Sequence, residues 1–179
     1  KTPKEYGCEI DIRAEGSKLV LSHDPFIKGD NLLDYLDEYS NGTLVLNIKE
    51  SGIEDLVLEE VRKRNIKSYF LLDVEFPYLY SASEKGEKNI ALRFSEKEPI
   101  ENVSLFQDKV DWVWIDTITR MPINKNNVDI LKNFRVCLVC PSRWGRNEEI
   151  SKCKSELIKL DFQEVIVMTK IEHINAWNI

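Results

Sequence analysis

Two periods of apolar and polar positions take turns along this chain. Short apolar runs recur at 8–13 with 18–22, then at 43–49, 68–74, 89–95, 111–118, 135–140 and 164–169. Runs such as Tyr69-Phe70-Leu71-Leu72 and Val165-Ile166-Val167-Met168 are apolar throughout, the pattern of parallel strands covered by helices. Between them lie helical stretches near 31–39, 53–64, 75–85, 99–107, 124–133 and 147–160. Ile53, Leu56, Val57 and Val61 fall at helical spacing in one of these, and Ile150, Cys153, Leu157 and Leu160 in the last long one. Strict alternation of strand and helix predicts an α/β fold, and the count suits a (β/α)8 TIM barrel. At 179 residues the chain reads as a single domain spanning 1–179, long enough to bury a proper core.

The first run has a second pattern laid over it. In Gly7-Cys8-Glu9-Ile10-Asp11-Ile12-Arg13, strand alternation sends Glu9, Asp11 and Arg13 to one face and Cys8, Ile10 and Ile12 to the other. Two carboxylates so placed repel each other unless something positive sits between them. A divalent cation with oxygen ligands, Mg²⁺ or Ca²⁺, is the natural resident. The competing reading pairs them with Arg13 or Lys49. About ten residues on, a Val/Leu-rich strand ends in His23-Asp24, bringing an imidazole able to exchange a proton near neutral pH. A turn histidine before a Pro-containing loop is the structural alternative.

Composition narrows the partners. Hydrophobic residues make up 42% and charged residues 31%, with a net charge of −6, so a nonspecific nucleic-acid or anionic-membrane binder is disfavoured. No run approaches the roughly 18 apolar residues of a membrane span, and the start shows no signal-sequence pattern. Cys8, Cys137, Cys140 and Cys153 read as free thiols of a reducing cytoplasm. The Cys137-Leu-Val-Cys140 spacing lies within a strand, which points its two thiols to opposite faces and disfavours zinc or redox chemistry.

Barrel active sites lie at the carboxyl ends of the strands. Those ends carry Glu9, Asp11, His23, Asn47, Lys49, Asp73, Arg93, Asp116 and Arg143, a polar set suited to handling an anion. Arg93 could clamp a phosphate bidentately or form an ordinary ion pair. Arg143 and Trp144, in Pro141-Ser142-Arg143-Trp144-Gly145-Arg146, could line the pocket or simply pack a loop. Trp112 and Trp114 are assigned to core packing, and His173 to the surface.

The sequence Glu-x-Asp, a short Gly-containing turn, an apolar strand and then His-Asp resembles the glycerophosphodiester phosphodiesterase family of phospholipase-like phosphodiesterase barrels. Leu44-Val45-Leu46-Asn47-Ile48-Lys49 resembles that family's next strand, which usually reads apolar-Glu-x-Lys. The motifs cover residues 7 to 50, and the strand rhythm covers the rest. The resemblance implies metal-dependent cleavage of a small phosphodiester substrate. Glu9, Asp11 and position 47 would be metal ligands, His23 would be one of two catalytic histidines, and Lys49 would contact the phosphate. Asn47 departs from the family's carboxylate and removes one negative charge; Asp73 or Asp116 could compensate.

The resemblance also implies a strand ending in His-Arg-Gly ahead of Glu9, carrying the partner histidine. The six residues before Gly7 cannot hold a strand and a crossover helix. The expectation is therefore that the natural chain has residues before Lys1 and between Glu5 and Gly7, since a seven-strand remnant would expose two sheet edges. Two rival readings follow. One is a non-catalytic relative that binds a metal or phosphate; the other is a barrel lyase that forms a cyclic phosphate.

Overall fold

The computed structural model describes residues 2–162 and 164–177. The chain divides into two compact units, residues 1–85 and 86–179, each built on its own sheet.

The first unit opens with β1 (Cys8–Glu15), which turns through Gly16-Ser17 into the antiparallel β2 (Lys18–Leu21). Gly16 takes φ +63, a left-handed conformation that glycine adopts without steric cost. A short β3 (Asp30–Asn31) pairs with β2 and leads into α1 (Leu32–Asp37), capped by the Asn31 side chain accepting from the Leu33 amide at 2.8 Å. Then come β4 (Leu44–Ile48), α2 (Glu54–Lys63), β5 (Tyr69–Leu72) and α3 (Phe76–Glu84). The strand order is β3-β2-β1-β4-β5, with β1, β4 and β5 parallel. All five residues of β4 are buried, the polar Asn47 included, as a central parallel strand covered on both faces requires. Val57, Leu58 and Val61 are the buried side of α2, and Leu32 and Leu36 that of α1.

β1 starts against β4 so closely that side chains are excluded at one point. A Cβ on Gly7 would lie 2.1 Å from the Thr43 carbonyl oxygen, while the Cys8 amide donates to that same oxygen at 3.1 Å. Glycine at position 7 therefore sets where the Glu9–Asp11 strand begins.

The second unit runs β6 (Ala91–Phe94), α4 (Ile100–Ser104), β7 (Trp112–Ile115), α5 (Val128–Leu131), β8 (Arg135–Val139), α6 (Ile150–Lys159), β9 (Val165–Met168) and a closing α7 (Ile174–Trp177). Its four strands are parallel in the order β6-β7-β8-β9. β7 is fully buried, and Ile150, Cys153 and Leu157 are the buried residues of α6.

The expected alternation of strands and helices is thus present as a mixed α/β architecture. β1 and β2, expected as one strand with its loop, form an antiparallel hairpin. Two separate hydrogen-bonded sheets are seen among the described residues rather than one continuous closed barrel. Among the described residues, no helix is long and apolar enough to cross a membrane. None of the four cysteines forms a disulfide; Cys137, Cys140 and Cys153 are buried, and Cys8 is half-buried.

Candidate active site

The parallel register pairs Glu9 with Val45 and Asp11 with Asn47. Registered partners share a face of the sheet, so alternation puts Glu9, Asp11 and Asn47 on one side. The Asn47 Nδ2 donates to Glu9 Oε1 at 2.8 Å. Asn47 is 4% exposed, and its Oδ1 is a buried acceptor that no hydrogen bond satisfies. A buried amide oxygen left without any partner costs about 1–3 kcal/mol, and either a donor or a hard cation can serve as that partner.

Lys49 extends the ladder one step beyond β4, its amide donating to the Ile12 carbonyl at 3.0 Å. Its ammonium lies 3.2 Å from Asp11 Oδ1 and 4.0 Å from Asp73 Oδ2. Asp73 directly follows β5, and strict alternation from Leu72 would send it to the opposite face. A φ of +60 breaks the alternation there, in a conformation that aspartate tolerates better than most residues, and its carboxylate comes to Lys49. Lys49 thus neutralises the two acids in half-buried surroundings.

His23 stands at the end of β2. The Ser22 amide donates to the Asp11 carbonyl at 3.0 Å, and Arg13 Nε donates to the His23 carbonyl at 3.0 Å. The imidazole is exposed, and its Nδ1 lies 2.8 Å from Asp24 Oδ1. In the tautomer that donates from Nδ1 to this carboxylate, Nε2 keeps its lone pair for base chemistry. Arg13, which the sequence placed on the carboxylate face, pairs with Glu50 at 3.6 Å.

In the second unit, Arg93 on β6 forms an ion pair with Asp116, just past β7. Trp114 Nε1 donates to Asp116 Oδ1 at 3.2 Å. Burial pushes the Asp116 carboxyl above its ordinary value, and the nearby Arg93 only partly offsets this. Arg143 and Trp144 are both exposed in the 3-10 turn Pro141–Trp144. His173, expected at the surface, has a largely covered ring 3.4 Å from Glu172.

Sequence reading missed the ties that hold the loop after β7. Glu96 Oε1 accepts from the Thr119 amide and hydroxyl, each at 2.7 Å. Burial raises this carboxyl, but the Thr119 bonds, its own backbone amide and Lys97 together hold it below its ordinary value. Arg146 donates to the Thr117 carbonyl and pairs with Glu149 at 2.5 Å. The available signal was position alone, Glu96 lying just past β6 and Arg146 in the loop that follows β8.

The chemistry of the first unit's face is that of hard oxygen donors beside one cation. Among the described residues, no group of three or more His, Cys, Asp or Glu side chains is arranged to hold a metal ion. Glu9, Asp11 and Asn47 are each oxygen donors of the kind Mg²⁺ and Ca²⁺ take, but Asn47 turns its amide nitrogen, not its oxygen, to Glu9.

No protein-family model matches the chain, and no curated protein matches it. A solved structure from Agrobacterium tumefaciens, named "putative glycerophosphoryl diester phosphodiesterase", is similar in fold. The likeness has a TM-score of 0.61 at 9% identity and covers 90% of this chain and 81% of that one. At that identity it shows the fold alone.

Proposed function

We propose that this chain is a metal-dependent phosphodiester hydrolase acting on a small glycerophosphodiester or related phosphodiester. The observation that carries the reading is the shared face of β1 and β4, where the Asn47 amide nitrogen donates to Glu9 and Lys49 pairs with Asp11. The fold likeness supports it.

Glu9, Asp11 and Asn47 would hold Mg²⁺ or Ca²⁺, with Asp73 as a further ligand. Bound there, the ion would neutralise phosphate charge and orient an attacking hydroxyl. Lys49 presents an ammonium to the phosphate oxygens. His23, with Nδ1 held by Asp24, exchanges a proton at Nε2 with the attacking or leaving oxygen. Arg93, Arg143 and Trp144, all in the second unit, are candidates there for contact with an anionic substrate. The unbridged thiols fit a reducing cytoplasm.

The test is hydrolysis of glycerophosphocholine with Mg²⁺ or Ca²⁺. Glycerol 3-phosphate should appear with the metal and be lost with chelator, and His23→Ala should fold normally yet lose turnover. A cyclic phosphate as the end product would assign the lyase instead. Binding of metal and phosphate without turnover would assign the non-catalytic relative.

A further inference from the structure

The parallel strands of the second unit are not covered alike. β7 is buried throughout and β8 is buried from Val136 to Val139, whereas Val165, Val167 and Met168 of β9 are half-buried and Ile166 is exposed. β9 is the outer strand of its sheet, with β8 on one side and, among the described residues, no strand on the other. A residue's amide and carbonyl lie on one side of a strand, and successive residues take opposite sides. The Met168 carbonyl accepts from the Cys140 amide at 2.9 Å, so Ile166 and Met168 turn their backbone groups to β8. Val165, Val167 and Thr169 turn theirs outward. Such edges are ordinarily guarded by a lysine, a proline or a bulge. The run Val165-Ile166-Val167-Met168 has no lysine or proline and an unbroken register on β8. Its nearest charges flank it, Glu164 before and Lys170 after, and both are exposed.

We propose that β9 is a dimerisation edge, pairing antiparallel with β9 of a second copy about a twofold axis at Val167. Only outward-facing residues can exchange ladder bonds across the new pair. With Val167 opposite itself and Val165 opposite Thr169 of the second copy, all of them do. That register sets Ile166 against Met168, an apolar pair in the closer, non-hydrogen-bonded position. It also sets Glu164 against Lys170, and the twofold axis repeats this opposite-charge pair at the other end. Sliding the strands to the next allowed register on either side loses both charge pairs. An apolar edge alone would accept any strand; the flanking charges are complementary to a second copy in one register. The inference does not depend on the phosphodiesterase reading.

The experiment is sedimentation equilibrium of the full chain across a range of concentrations, with amide exchange measured at both ends of that range. A monomer–dimer equilibrium is expected, with the outward amides of Val165, Val167 and Thr169 gaining about tenfold protection at the high end. Glu164→Lys and Lys170→Glu each place like charges opposite one another at both ends of the pair. Each should weaken the dimer by about tenfold. Mixed together, the two variants regain opposite charges at both ends and should form a heterodimer of wild-type affinity. Val167→Pro removes an outward N–H that pairing with β8 does not use, so it should keep the fold by circular dichroism and abolish the dimer. A wild-type chain that stays monomeric up to about 1 mM overturns the proposal without recourse to any variant. So does a dimer indifferent to both charge reversals. Protection of the outward amides that does not vary with concentration also overturns it, and assigns the edge to a strand of the same chain.

Discussion

Replacing Asn47 by aspartate would set a carboxylate against Glu9 at a position that is 4% exposed, and would delete the donor that Glu9 now accepts from. In chelator, Asn47→Asp should cost about 2 kcal/mol, the scale of a lost hydrogen bond to a charged group. With saturating Ca²⁺ the deficit should shrink or reverse, because the added charge strengthens the donor set. Urea unfolding in both buffers checks this, and an equal deficit in each would take Asn47 out of the metal site. Gly7 makes a different residue-scale case. Its missing Cβ is what lets the Thr43 carbonyl approach, at 2.1 Å from where that atom would stand. Gly7→Ala must therefore push β1 from β4, at a cost of about 1–3 kcal/mol typical of overpacking, read as a lower urea midpoint.

At the scale of elements, β6 and β7 are joined at their carboxyl ends by Arg93, Asp116 and Trp114. Asp116 has a carboxyl raised mainly by burial, so the folded state binds its proton more tightly than the unfolded chain does. Its contribution to stability is fully present below the ordinary carboxylate value of 3.8 and is lost as pH rises through the higher folded value. Asp116→Asn does not titrate. The stability of the wild type relative to this variant should therefore fall as pH rises above that ordinary value, by about 1.4 kcal/mol for each pKa unit of elevation. Denaturant titrations across that range give the difference, and a flat one would contradict the assignment. The strands themselves were legible from their apolar runs. So was the shared face of Glu9 and Asp11, because a period of two fixes faces. Which charges meet was not legible: spacing says that Lys49 and Asp11 could pair, but only the register of β1 on β4 gives 3.2 Å. Asp73 reaches Lys49 through a left-handed φ that no hydrophobic pattern encodes. Trp114 was read as packing and is buried at 4% exposed, yet its indole also donates to Asp116; the i, i+2 spacing of the two was the overlooked signal.

For the whole molecule, the aromatic residues offer a way to ask which unit holds the cation. All six tyrosines lie within residues 1–85, and all four tryptophans, Trp112, Trp114, Trp144 and Trp177, lie within 86–179. Tryptophan emission excited where tyrosine does not absorb therefore reports on the second unit. Amide exchange along β1 and β4 reports on the first. Glu9, Asp11 and Asn47 belong to the first unit, whereas Asp116 belongs to the second and already has Arg93 as its counter-ion. A ligand stabilises the state it binds by RT ln(1 + [L]/Kd), about 2.7 kcal/mol at a hundredfold excess over Kd. We expect Ca²⁺ at that excess to slow opening-limited exchange of the β1 and β4 amides by about a hundredfold, the same free energy expressed as a ratio. The tryptophan unfolding midpoint should move less. Asp11→Asn should remove most of the protection. A Ca²⁺ effect confined to tryptophan emission would instead place the ion at Asp116, and the face of β1 and β4 would then need another account of its unsatisfied amide oxygen.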